Sequence, residues 1–75
     1  MNFYQELIAR ILNRSNRADI APRHVEAYMR LQYGTLDHLD ARTFAREVMI
    51  AVQCIDQGGT AEAEALAASY GIGAS

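Results

Sequence analysis

The stretch that decides the fold is VMIAVQCI, residues 48–55, inside DARTFAREVMIAVQCIDQGG, residues 40–59. Seven of its eight residues are apolar, so a helix here has almost no face that prefers water. Surface helices carry one apolar stripe, and a segment apolar nearly all round belongs in a core or across an interface. Phe44, Val48, Ala51, Val52 and Ile55 form one stripe at helical spacing, which leaves Met49, Ile50 and Cys54 off it. Those extra residues predict a surface shared with another chain. The run is far short of the roughly 20 apolar residues that cross a bilayer, and Glu47 and Asp56 bracket it, so a membrane span is excluded.

Working outward, Asp40 reads as the N-cap of this third helix, with Leu39 and Phe44 spaced as a hydrophobic staple. Gly58 and Gly59 end it. Upstream, residues 2–14 place Phe3, Tyr4, Leu7, Ile8, Ile11 and Leu12 on one stripe, flanked by Arg10, Arg14 and Arg17, with Glu6 one turn before Arg10. Ser15 and Asn16 favour local bonds over continued helix. Pro22 opens a second helix over residues 22–33, whose buried side carries Val25, Tyr28, Met29 and Gln32 or Tyr33, and Gly34 closes it. Leu36 and Leu39 lay the connector against the core. Thr60 is expected to cap a fourth helix, residues 60–70, with Glu62 and Glu64 near its positive end and a stripe of Ala63, Leu66, Ala67 and Tyr70. Gly71 followed by Ile72 reads as a helix stop with an apolar residue folding back. No alternating pattern competes. The expected fold is all-α: a compact bundle of three to four short helices in one domain.

At 75 residues a domain buries only about 60% of the surface its unfolded chain exposes, which leaves a small core. Cys54 stands alone, so no internal disulfide is available, and no Cys/His spacing supports structural zinc. Helix packing and oligomerisation are the remaining routes to added stability, and a homodimer is expected. The lone thiol and the absence of a charged leader with an apolar stretch place the reading in the cytosol.

The charge is unevenly distributed. Residues 1–34 hold five Arg against three acids, and residues 35–75 hold two Arg against six, for a net charge of −2. Arg10, Arg14, Arg17, Arg23 and Arg30 form a candidate patch for phosphate contacts. Net acidity and few interleaved aromatics weigh against nucleic acid. His24 and His38 lack the short spacing of a metal pair, and Cys54 among Val52 and Ile55 reads as a small buried hydrophobe. No catalytic constellation or phosphate loop is present. The reading is therefore non-enzymatic, with no cofactor.

Two resemblances add to this. TAEAEALAASYGIGAS, residues 60–75, resembles the first helix and turn of helix-turn-helix DNA-binding proteins, in which the turn leads to a helix that enters the major groove. Only Gly73, Ala74 and Ser75 follow Ile72 here, so the part that would read DNA is not among these residues. RHVEAYMRLQYGTLDHL, residues 23–39, followed by TFAREVMIAVQCI, residues 43–55, resembles short proteins of phage and prophage genomes, which implies a small accessory protein with no particular chemistry attached. The resulting expectation is an interaction protein that dimerises through Val48, Met49, Ile50, Val52 and Ile55. Arg10, Arg14, Arg17, Tyr28 and Arg30 are its candidate contacts to a protein partner or to phosphate. A DNA-binding regulator and an inhibitor of a host enzyme are the alternatives.

Overall fold

The computed structural model describes residues 2–73 and contains four helices: α1 (Phe3–Arg14), α2 (Pro22–Tyr33), α3 (Ala41–Gly58) and α4 (Thr60–Ser69). The all-α bundle is the fold observed. Helix α2 touches each of the other three, whereas α1 and α4 lie apart from one another.

Each helix starts and stops for a local reason. The Asn2 side chain caps α1 by accepting from the Gln5 amide at 2.8 Å, and the Asp40 carboxylate caps α3 by accepting from the Thr43 amide at 2.7 Å. Helix α2 has no side-chain cap and opens with Pro22, whose missing donor costs nothing in a first turn. Helix α1 ends through backbone bonds rather than through Ser15 or Asn16 side chains. The Arg17 amide donates to the Leu12 carbonyl at 2.8 Å and the Asn16 amide to the Asn13 carbonyl at 3.2 Å, with Asn16 in the left-handed region at φ 59°. The same pattern closes α4, where Gly71 sits at φ 72° and the Ile72 amide reaches the Ala67 carbonyl at 2.9 Å. Both are Schellman motifs. Thr60 does not cap α4: it is the first helical residue, and Gly59 at φ 90° holds the cap position without a side-chain bond.

The buried set of α3 is Phe44, Val48, Ala51, Val52 and Ile55, the stripe read from the sequence. These residues meet Ile8 and Leu12 of α1, Val25 and Met29 of α2, Ala63 of α4, and Leu36, the connector residue that drops into the core at 2% exposure. A single turn, closed by the Leu39 amide on the Leu36 carbonyl at 3.3 Å, links α2 to α3. Helix α4 presents Ala63 and Ala67 inward, both fully buried. Side chains this short allow close helix-to-helix approach, since interaxial distance follows side-chain size at the contact. Leu66 is only half-buried, and Tyr70 is exposed rather than part of a buried stripe.

Helices α2 and α3 each touch all three others, but α2 is the more fully enclosed. His24, Val25, Glu26, Ala27 and Met29 are all buried, because α1, α3 and α4 pack around a helix whose composition is moderately polar. Gln32, one of the two residues expected to close its inner stripe, is exposed, and Tyr33 is half-buried.

Candidate interaction surfaces

Val48, Val52 and Ile55 are at most 5% exposed and belong to the protein's own core, so they are not available as self-association contacts on its surface. The correction follows from helix geometry, since these three lie on the stripe that α1, α2 and α4 cover. Met49 packs partly against the core. Ile50 points outward at 44% exposure, and Cys54 is half-buried one turn further on.

Ile50 has company that sequence reading did not select. Leu31 of α2 is 61% exposed and lines the same trough as Ile50, together with Tyr28, Tyr33, Glu47 and Cys54. Leu31 falls two residues past buried Met29, a spacing that turns it away from the α2 core, and an apolar residue on that side was the available signal. Burial lifts the hydroxyl of Tyr28 above its ordinary range, with the Glu62 carboxylate and Cys54 acting in the same direction. Burial also raises that of Tyr33, with Glu47 adding to it. This α2–α3 face is thus two exposed aliphatic side chains over a floor of partly desolvated aromatics.

The five candidate contacts do not form one patch. Arg17 is chelated by Asp56, at 2.8 and 2.9 Å, and by Asp19 at 3.1 Å; these bonds push its guanidinium further up and hold both carboxyls below their ordinary range. Arg30 is turned inward. Its Nε donates to Glu26 at 2.9 Å, its Nη1 to the Gly34 carbonyl at 3.2 Å, and its guanidinium lies 5.8 Å from the centre of the Tyr4 ring. Tyr28 belongs to the α2–α3 face already described. Arg23 donates to Glu64 at 3.0 Å, and buried His24 meets the same carboxylate.

Arg10 and Arg14 are different. Both are exposed, one turn apart on α1, and neither makes an ion pair or side-chain hydrogen bond among the described residues. The expected Glu6 to Arg10 pair is not formed. The two arginines border a second groove, of about 490 Å³, between α1, the α2–α3 connector and the start of α3. Its floor includes Tyr4, which stacks on Phe44 with ring centres 6.2 Å apart and meets Phe3 edge-on at 5.5 Å.

Beneath these surfaces lies a polar hub unmarked in the sequence reading. Glu26, 1% exposed, accepts from Gln5 Nε2 at 2.8 Å, Asn2 Nδ2 at 3.2 Å and Arg30 Nε at 2.9 Å. The four-residue step from Glu26 to Arg30 was its available signal. Every buried side-chain polar atom among the described residues has a partner.

Among the described residues no three His, Cys, Asp or Glu side chains are grouped to hold a metal ion, and no helix is long and apolar enough to cross a membrane. No protein-family model matches this chain, and neither a curated protein nor a solved structure shows significant similarity to it.

Proposed function

We propose that this chain is an interaction protein rather than an enzyme, and that it works as a homodimer joined through the α2–α3 face. The observation that carries the reading is the convergence of Leu31 and Ile50, two large aliphatic side chains at 61% and 44% exposure, over one trough. A protein this small gains stability by covering such surface against a copy of itself, and a two-fold axis brings one patch onto its twin without requiring any second complementary surface.

The test is the mass in solution. Light scattering at high micromolar concentration is expected to give a dimer for the wild-type chain. Ile50→Asp and, separately, Leu31→Asp should give monomers whose far-ultraviolet dichroism is unchanged, because both positions face solvent in the single subunit. Met49→Asp is unsuitable, since Met49 packs against the core. A monomeric wild-type protein would remove the proposal.

A further inference from the structure

The α1 groove carries a different chemistry from the α2–α3 face. Phe3, Leu7 and Ile11 from α1, Leu36 and Leu39 from the connector and Phe44 from α3 line it. Phe3 is 66% exposed at one end, which leaves a large apolar ring facing water. Arg10 and Arg14 run along the α1 rim, and the connector contributes Asp37. Arg17, Arg23, Arg30 and Arg46 each have a carboxylate within the fold, which leaves Arg10, Arg14 and Arg42 without an ion pair among the described residues, and of these three only Arg10 and Arg14 line the groove.

We propose that this groove binds an amphipathic helix of another protein, one whose apolar stripe is flanked by Asp or Glu on the side that meets α1. The idea rests on reading the chain as an interaction protein, though not on its dimerisation. The aromatic and aliphatic floor calls for an apolar stripe, and the arginine pair, spaced one helical turn apart, calls for carboxylates spaced the same way. Helix α1 spans about 18 Å, which matches a partner of roughly three turns. Nucleic acid fits less well. Phosphates would satisfy two arginines, meet Asp37, and leave Phe3, Leu7 and Ile11 uncovered. A second copy of this chain fits less well again. Glu26, Glu47, Asp56 and Glu64 are each engaged by an arginine, and no described helix carries two uncommitted carboxylates one turn apart.

The experiment is selection from a displayed library of helical peptides, random in sequence, against the immobilised full chain and against its Arg10→Glu/Arg14→Glu variant. Selected peptides are then measured by fluorescence anisotropy. Enriched peptides are expected to carry an i, i+3 or i+4, i+7 apolar stripe flanked by Asp or Glu. They should bind the double variant about tenfold or more weakly, with a loss that shrinks at high salt, and Phe3→Ser should weaken them similarly. Both alterations are at exposed positions, and unchanged dichroism confirms the fold. The same peptides should bind monomeric Ile50→Asp as well as wild type, which separates this groove from the dimer face. Enrichment of basic or neutral peptides, equal binding to the double variant, no enrichment at all, or tighter retention of duplex DNA than of any selected peptide would each overturn the proposal.

Discussion

At Glu26 the fold encloses a carboxylate and then surrounds it with donors from two helices. Asn2 and Gln5 come from the start of α1, and Arg30 comes from the next turn of α2, so the side chain fixes how α1 enters against α2. Removing one partner of a buried charged network leaves the others desolvated and unmatched. Because Arg30 is 27% exposed and can turn to water, Glu26→Ala is expected to cost roughly 2–4 kcal/mol, below the upper range for a fully buried pair. Urea unfolding checks this, and a loss under about 1 kcal/mol would show that the hub contributes little.

The surface carboxylates act in one direction with pH. Hydrogen bonds from His24 and Arg23 hold Glu64 below its ordinary range, the Thr43 amide does so for Asp40, and Arg17 does so for Asp56 and Asp19. Each remains ionised in the native state at pH values where the unfolded chain has begun to take up protons. Their contribution is therefore present above the ordinary carboxylate range, near pH 4, and is lost as pH falls through the lower native values. The urea midpoint should decline from about pH 5 downward, gradually, because solvent screens all four groups. A midpoint that is flat or rises in acid would contradict this.

At the scale of elements, the stops are more informative than the starts. Asn16 at φ 59° does with a side chain what Gly71 does without one, and non-glycine residues occupy that region at a cost. Gly71→Ala should destabilise by about 1 kcal/mol and Asn16→Gly should be neutral or stabilising by a few tenths, read as shifts in thermal midpoint. The opposite ordering would show that the two turns are not held by the same backbone constraint.

The helices were legible in the sequence because apolar period, proline and glycine all agreed at their boundaries. The inner face of α3 was legible for the same reason. Three things were not. A tight run of apolar residues marked α3 as needing cover on every side, yet the shorter and more polar α2 is the more fully enclosed, because enclosure depends on where neighbours lie and not on a segment's own composition. Thr60 looked like a cap, but Gly59 reverses the chain between α3 and α4 and moves the cap one residue back. The arginines looked like a patch, and long-range partners such as Asp56 and Glu64, invisible at short sequence separation, dispersed all but Arg10 and Arg14.

For the whole molecule, the two surfaces are chemically distinct: aliphatic over the α2–α3 trough, mixed apolar and cationic along α1. Both involve helices that rest on α2, which touches every other helix and has five of its twelve residues buried. Detaching α1, α3 or α4 would therefore strip cover from the same buried turn, His24 to Met29, and no helix can peel away without cost to the rest. The amide protons of that turn should exchange with deuterium only through complete unfolding, at a protection matching the global free energy from urea, while those of the last α4 turn escape much sooner. Protection in α2 below that limit would mean that the centre of the bundle opens by itself. If it does not, the whole chain gives way as one unit, and any ligand on either surface slows deuterium uptake at the α2 turn on the far side of the protein as well as near its own site.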